Sequence, residues 1–357
     1  MWIRTLRVEH FRCFASAAVG FEPRTNLLLG PNGAGKTSLL EAAYLLSHGR
    51  SFRPGGREAL LARAAPQFQV YAEVERADGT LRRLGLARGP QGWTARRDGA
   101  PVARLSELLP ECAVVCFEPG SHALIHGPAS ERREFLDWGV FHVERSFLEQ
   151  WRRFQRALKQ RNQALRDRGT DAALEAWTPE LARAGTAITT MRTAYLARFE
   201  PFFARFAAAL LPELGEPTLR FDPGFEGELE AALGARRARD RQRQTTTAGP
   251  HRADWRPAFA QAPLREHLSR GQEKLTALAV VLAQAECFRV DTGEWPVLAL
   301  DDLPSELDAS HLDAVLALVR AAGAQSLLTA TTPEALAARL SHATEFHVEH
   351  NGVVRRR

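Results

Sequence analysis

The sequence contains no uncharged apolar run approaching the ~20 residues that a membrane-spanning helix needs. Its opening, MWIRTLRVEHF, mixes charged and apolar residues where a secretory leader would carry an apolar core. Cysteine is scarce, with only Cys13, Cys112, Cys116 and Cys287, and no two have the two-residue spacing of a zinc knuckle or a redox pair. They read as buried thiols of a reducing compartment, so a cytoplasmic protein without membrane association is expected. There is no HExxH pair for a catalytic metal and no GxSxG turn for a serine nucleophile, which removes support for hydrolase chemistry of those kinds. Internal repeats, low-complexity segments and sustained heptads are missing as well.

What remains is the composition of a soluble globular protein, with 45% apolar and 25% charged residues in a chain of 357. That length suffices for two domains, or for one with a large insertion. Lys and Arg number 47 against 42 Asp and Glu, a net charge of +5 that permits a polyanionic partner without requiring one.

Residues 2–29 alternate apolar and polar positions and end in the buried-looking strand TNLLLG, after which TSLLEAAYLLS (37–47) has helical spacing. Residues 68–104 alternate as strands do and are broken by Asp-Gly and Gly-Pro turns, which suggests an antiparallel meander; AVVCF (113–117) reads as a further buried strand. From 130 to 212 the pattern is helical and nearly free of turn signals, and LRFDP (219–223) reads as a brief strand before a helix over 228–244. An α/β alternation resumes at 268, with helices at 270–289, 311–321 and 333–340, strands at 296–301 and 325–331, and a closing hairpin TEFHVEHNGVVRR. The expected fold class is therefore α/β, a nucleotide-binding domain formed by the two ends of the chain and interrupted by a mainly helical arm. The expected boundaries are 1–120 and 246–357 for the two parts of that domain and 121–245 for the arm.

Gly30 to Ser38, GPNGAGKTS, fits the phosphate-loop pattern G-x-x-x-x-G-K-[ST] and lies between a strand and a helix, the context such a loop requires. Backbone N–H groups from Gly30, Asn32, Gly33, Ala34 and Gly35 and the helix N-terminus would wrap the phosphates, with Pro31 lending its fixed φ to the loop. Lys36 would bridge the β- and γ-phosphates, and the Thr37 hydroxyl would ligate Mg²⁺. PVLALDDLPSELD adds a buried strand ending in Asp301 and Asp302, and strand carboxyl ends are where a parallel sheet places its ligand. Asp301 would hold Mg²⁺ through water, and Asp302 would orient or deprotonate the attacking water. Most of the chain lies between these two motifs, which makes the arm an insertion.

Ser269, Arg270, Gly271 and Gln272 precede a helix, followed by the Asp-Asp strand and SELD, which ends at Asp308. This is the order of parts in an ABC-type ATPase, where the serine hydroxyl and glycine N–H meet the γ-phosphate of a nucleotide held by a partner chain. Ser269, Gly271, Gln272 and Asp308 thus join the candidate nucleotide-binding residues, and a C₂ homodimer bridged by two ATP molecules is expected. The alternative for this segment is an ordinary capped helix.

Within the ABC superfamily the chain resembles the RecF family of bacterial recombination mediators, relatives of SMC heads. The likeness runs essentially full length and rests on LIHGPASERREFLDWGVFH (124–142), LKQRNQALR (158–166), TTTAGPHRADW (245–255), LSRGQEK (268–274) and LALDDLPSELD (298–308). It implies an ABC-type ATPase head with a helical arm, ATP and Mg²⁺ as cofactors, and a weak, DNA-dependent ATPase used as a switch. It also implies binding to duplex DNA and duplex–single-strand junctions in the ATP-bound dimer, and work with RecO and RecR to load RecA at single-stranded gaps in repair, replication restart and the SOS response. The chain departs from the family where Gly120 follows Pro119 and at Pro128-Ala129. No glutamine in 111–121 fits a Q-loop, and Ala330-Thr331-Thr332 stands in place of a switch histidine.

The densest basic run, Arg236, Arg237, Arg239, Arg241 and Arg243, is either a solvated helix face or a DNA contact, and Arg132, Arg133, Lys159 and Arg161 are similar candidates. His251 and Arg252 either build a turn or couple the arm to the nucleotide. With no base-reading element, DNA binding without sequence specificity is expected. Asp302 is one methylene shorter than the glutamate usual at its position, which points to slow hydrolysis. A transporter subunit is disfavoured by the arm's size and motifs. An SMC-type chromosome-structure head is the alternative, disfavoured because Pro179, Pro201 and Pro212 interrupt the arm too often for a long coiled coil.

Overall fold

A computed structural model describes residues 1–63, 65–167, 170–332, 336, 339–340, 342–349 and 354–356. The chain forms strands β1 (Trp2–Phe11), β2 (Phe14–Gly20) and β3 (Thr25–Leu29), helix α1 (Lys36–His48), then β4 (Phe68–Glu75), β5 (Leu81–Gly89), β6 (Gly92–Arg97), β7 (Ala100–Pro101) and β8 (Val114–Phe117). There follow α2 (Ala123–His126), α3 (Ala129–Val143), α4 (Phe147–Arg166), α5 (Asp171–Glu175), α6 (Thr178–Leu210), β9 (Pro217–Asp222), α7 (Leu229–Ala235), α8 (Arg237–Arg243) and β10 (Asp254–Phe259). The last part holds α9 (Arg270–Thr292), β11 (Val297–Leu300), α10 (Leu303–Glu306), α11 (Ala309–Ala322), β12 (Ser326–Ala330), β13 (Thr344–Val348) and β14 (Val354–Arg356).

The chain divides into two compact units, Met1–Ser121 with Ala277–Arg357, and His122–Thr276. The first unit holds two sheets. One is antiparallel in the order β2-β1-β4-β5-β6-β7. Its β6–β7 turn is Asp98-Gly99, both at positive φ (52° and 87°), as a two-residue hairpin loop demands. The other runs β14-β13-β3-β12-β11-β8, parallel from β13 to β8, with β14 antiparallel to β13. Strands covered on both faces read as continuous apolar runs, and β11 (VLAL) and β12 (SLLTA) are buried at every position. Because β3, β12 and β11 lie side by side and parallel, their carboxyl ends open onto one edge of the sheet, which assembles the loops after Leu29, Leu300 and Ala330.

In the second unit α6 packs against α4, α3 and α7, and β9 pairs with β10. Three expectations need correction here. Residues 246–276 belong with the helical unit and not with the nucleotide-binding domain, because β10 is the antiparallel partner of β9 (Trp255 opposite Phe221). The helix expected over 228–244 is two, parted at Arg236. Pro201 does not interrupt the arm: α6 runs through it for 33 residues, held by the buried Phe199, Phe203 and Phe206 on its inner face. The helix expected at 333–340 falls largely outside the described residues, as does the turn of the closing hairpin. No helix among the described residues is long and apolar enough to cross a membrane.

Candidate nucleotide-binding site

The loop from Gly30 to Gly35 carries the chain from buried β3 into α1, and its glycines are required by space as well as by φ. At Gly30 (φ 154°) a Cβ would fall 2.3 Å from the carbonyl oxygen of Val348, and at Gly35 (φ 110°) it would fall 2.3 Å from the ring of Phe14. At Gly33 (φ 80°) a Cβ would meet nothing within 4 Å, so that glycine serves the backbone turn alone. The Pro31 carbonyl accepts from the Ala34 N–H at 3.2 Å, which closes the loop, and Asn32 lines the cleft. Lys36 Nζ donates to the carbonyls of Gly30 (2.6 Å) and Pro31 (3.0 Å), so its charge is held at the loop's mouth. Burial lowers the Lys36 pKa, against the opposing pull of Asp302 and Asp301.

The two halves of the sequence motif meet here. The Thr37 hydroxyl donates to Asp301 Oδ1 at 3.0 Å, and the Thr329 hydroxyl donates to the same oxygen at 2.7 Å. Burial raises the Asp301 pKa, and the Thr329 and Thr37 hydrogen bonds work the other way. The Asp302 N–H donates to the Thr329 hydroxyl at 2.9 Å. Asp302 sits in the left-handed region (φ 51°) as it turns from β11 into α10, and its Oδ1 is buried with no hydrogen-bond partner among the described residues. A buried carboxylate oxygen left unpaired is costly, and a polar group entering the cleft would relieve it.

These side chains line a cleft of about 650 Å³ whose walls also include Arg12, Arg53, Glu118 and Thr331. Glu41 of α1, fully buried, accepts from Arg12 Nε at 2.8 Å and from the Ser51 hydroxyl, and lies 3.7 Å from Arg53, so one carboxylate holds two arginines at the cleft. Hard oxygen donors from Thr37 and Asp301 beside the glycine loop fit a nucleotide triphosphate with Mg²⁺, a cation that takes few protein ligands and completes its shell from phosphate and water. Among the described residues no group of three or more His, Cys, Asp or Glu is placed to hold a metal ion.

Sequence reasoning missed Thr329, Arg12, Arg53 and Glu41. Thr329 carries a faint signal, a hydroxyl that follows two leucines near the end of a buried strand. Arg12 stands in a tight turn between strands at φ 55°, which a single sequence does not mark.

The remaining candidates lie elsewhere. Ser269 caps α9 with Gln272: the Ser269 N–H donates to Gln272 Oε1 (3.0 Å) and the Gln272 N–H to the Ser269 hydroxyl (3.3 Å), a reciprocal capping box. Gln272 also donates to Glu213 at 3.1 Å. At Gly271 a Cβ would meet nothing within 4 Å. Ser269, Gly271 and Gln272 fall in the second unit, whereas every residue lining the cleft belongs to the first. Asp308 is the N-cap of α11 and accepts from the His311 N–H (3.0 Å), the Ser310 hydroxyl (2.7 Å) and His311 Nδ1–H (2.6 Å). Those bonds, the His311 N–H first, hold its pKa below the ordinary carboxylate range.

Two arginines expected to meet DNA are interior, which is a correction. Arg132, 1% exposed, donates to both oxygens of Asp254 (2.6 and 3.1 Å) and to the Gly127 carbonyl (2.9 Å), while Trp255 Nε1–H donates to the Arg132 carbonyl at 2.7 Å. Arg161, also 1% exposed, donates to Asp240 and the Thr246 hydroxyl, each at 2.8 Å. Arg192 clamps Asp137 (2.8 and 2.9 Å) and the Pro250 carbonyl (2.7 Å). RREFLDWG and GPHRADW are thus two halves of one buried clasp within the helical unit. Arg133 donates to the Ala253 carbonyl (2.7 Å), Arg236 to the Thr247 carbonyl (2.8 Å), and Arg237 pairs with Glu175 (2.9 Å). His251 Nε2–H donates to the Thr246 carbonyl at 3.0 Å, and burial pushes the ring's pKa down to about 4, which keeps it neutral and makes it part of a structural turn. Arg239 and Arg243 remain exposed.

The family model of the RecF/RecN/SMC N-terminal domain matches residues 2–354. The DNA replication and repair protein RecF of Xanthomonas euvesicatoria is 48% identical over 99% of both chains, and that of Stenotrophomonas maltophilia 46% over 99% of both. The solved structure of the recombination mediator protein RecF with ATP, of the RecFOR pathway, superposes with a TM-score of 0.89 at 26% identity, covering 100% of this chain and 97% of that one. An Smc head from Pyrococcus furiosus shares the fold alone, with a TM-score of 0.59 at 14% identity over 100% of this chain and 96% of that one.

Proposed function

The chain belongs to the RecF family, DNA replication and repair proteins built on the ABC-type ATPase fold, and from that premise we propose that it is an ATP-gated DNA-binding recombination mediator. ATP binding closes two chains head to tail over two nucleotides; the dimer grips duplex DNA without regard to sequence and, with RecO and RecR, helps load RecA at single-stranded gaps. The observation that carries the reading is the coupled pair of acids: Thr37, Asp301, Asp302 and Thr329 joined by hydrogen bonds at the mouth of a glycine loop.

In this mechanism the loop N–H groups and Lys36 hold the phosphates, and Thr37 and Asp301 are the residues that would hold Mg²⁺, directly and through water. Mg²⁺, when bound, would neutralise charge that builds on the phosphates. Asp302 orients the attacking water with its unpaired oxygen, and Thr329 keeps the Asp301 carboxylate and the Asp302 backbone in place. Because Asp302 is short by one methylene compared with glutamate, the water stands away from its best position, and turnover is slow. DNA-stimulated hydrolysis well above about one per second would contradict the switch.

Ser269, Gly271 and Gln272 complete the partner's site. Gly271 supports this part: glycine within the first turn costs about 1 kcal/mol against alanine, yet no group of its own chain crowds it. Close approach of a phosphate from outside would explain the missing side chain. Sedimentation of the wild type and Ser269→Arg with ATP, with and without duplex DNA, tests the shared site. The wild type dimerises and the variant stays monomeric; a wild type that remains monomeric, or a variant that dimerises equally well, overturns it.

A further inference from the structure

The run ARRARDRQRQ is not evenly solvated. Asp240, in its middle, is fully buried and turned inward, where it accepts from Arg161 (2.8 Å), the Thr247 N–H (2.9 Å) and the Thr247 hydroxyl (2.7 Å). Asn162 Oδ1 accepts from the Thr246 N–H at 2.8 Å and from the Thr246 hydroxyl at 2.7 Å. This network ties α8 and the segment 245–247 to α4, so side chains flanking Asp240 project from a fixed base. On one flank the charges are neutralised within the chain, Arg237 by Glu175 (2.9 Å) and Arg241 by Asp171 (2.6 Å). The other flank is different. Arg239 and Arg243, one turn apart on α8, have no acidic partner among the described residues and face a concavity of about 340 Å³ that Arg236 and Arg252 also line.

The opposite wall is the turn after β9, where Gly224 (φ 83°) lets the chain pass so close that a Cβ would fall 2.5 Å from the Gly249 carbonyl. Thr245 and Thr247 add hydroxyls, and Asp222 and Glu226 stand on the same lining. Four guanidiniums against two carboxylates leave a formal surplus of two positive charges in one pocket. Like charges one turn apart on a helix repel. A fixed base that holds them together without an acid between them suits an anion supplied from outside.

We propose that this pocket between α8 and the turn after β9 is a seat for one phosphate group, and that in the working protein the phosphate comes from the backbone of duplex DNA. The inference rests on the DNA-binding reading above and names where the arm takes hold. Guanidinium forks match phosphate oxygens in pairs, and such contacts set position without reading bases. The carboxylates on the lining favour a singly charged phosphodiester over a polyphosphate.

The test is fluorescence anisotropy with a labelled 30-base-pair duplex and ATP across a salt series, for the wild type, Arg239→Gln/Arg243→Gln, and the ion-paired flank variant Arg237→Gln/Arg241→Gln. The pocket variant is expected to bind at least about tenfold more weakly at 0.15 M salt, with the slope of log K against log salt shallower by about 1, the loss of one phosphate contact. The flank variant keeps the wild-type slope, and affinity for a fluorescent ATP analogue is equal in all three. A wild type that binds no duplex sinks the DNA reading itself. A wild type that binds while the pocket variant matches it in affinity and slope overturns the pocket and leaves that reading standing. Inorganic phosphate at fixed ionic strength separates the two sources of the anion: a backbone seat shows no saturable competition below about 10 mM, beyond ionic screening, whereas saturable binding of free phosphate by the wild type, lost in the pocket variant with DNA affinity unchanged, refutes the DNA assignment.

Discussion

A single hydroxyl holds the chemistry of the cleft together. Thr329, 1% exposed, donates to Asp301 and accepts from the Asp302 N–H, so one β12 side chain fixes the acid proposed for the metal and the backbone of the acid proposed for the water. Thr329→Val keeps the volume and removes both bonds. A polar group left unpaired in the interior costs about 1–3 kcal/mol, and small displacements at a reacting centre are amplified in rate. We expect Thr329→Val to hydrolyse ATP about 10- to 100-fold more slowly while binding a fluorescent ATP analogue within a few-fold of wild type, and Thr329→Ser to recover most of the rate. Steady-state kinetics with an analogue titration check this; a valine variant as fast as wild type, or a serine variant slower than the valine one, would mean the hydroxyl is not what matters.

At the scale of elements, the helical unit depends on close approach. Gly139 lies inside α3, and a Cβ there would fall 2.3 Å from both the ring and the hydroxyl oxygen of Tyr195, a buried side chain of α6. Gly139→Ala gains helix propensity of about 1 kcal/mol, yet overpacking against a ring that cannot swing aside costs about 1–3 kcal/mol or more. The expected net effect is destabilisation, read as a lower Tm, which Tyr195→Leu in the same chain partly reverses; additive losses from the two changes would show that the pair is not coupled. Much at this scale was legible in the sequence. The phosphate loop fell between β3 and α1 because turn glycines bounded by an apolar strand and a helical repeat are a local signal. The Asp98-Gly99 hairpin was legible for the same reason. The pairing of β10 with β9 was not, because it joins Trp255 to Phe221 across two helices. Nor was the burial of Arg132 and Arg161, since a charge run looks solvated until its distant acids, Asp254 and Asp240, are brought beside it. Strand-end logic alone pointed Asp301 and Asp302 toward the phosphate loop, and Asp301 accepts from Thr37 while Asp302 lines the same cleft, whereas the Thr329 link, which depends on the order β3-β12-β11, needed the sheet.

For the whole molecule the decisive matter is whether a site is completed by a second chain. Lys36 and Ser269 belong to different units of one chain, and in the proposed head-to-tail dimer each nucleotide would meet Lys36 of one protomer and Ser269 of the other. Lys36→Ala and Ser269→Arg should then each abolish hydrolysis when alone, since every site of a Lys36→Ala dimer lacks its lysine and Ser269→Arg alone stays monomeric. Mixed, they behave differently. A heterodimer pairs the intact phosphate loop of the Ser269→Arg chain with the intact signature of the Lys36→Ala chain, which makes one sound site and one doubly broken site. Each mixed dimer has one of two sites, so up to about a quarter of wild-type turnover should return at equal amounts, the level reached when mixed dimers form as often as random association would make them. DNA-stimulated phosphate release from the mixture, compared with each variant alone at the same total concentration, measures it. Site sharing requires that the gain appear only after mixing and saturate with protein concentration, as association demands. If the mixture stays as inactive as its parts while both variants remain folded, each chain works alone and the signature segment is no more than a capped helix.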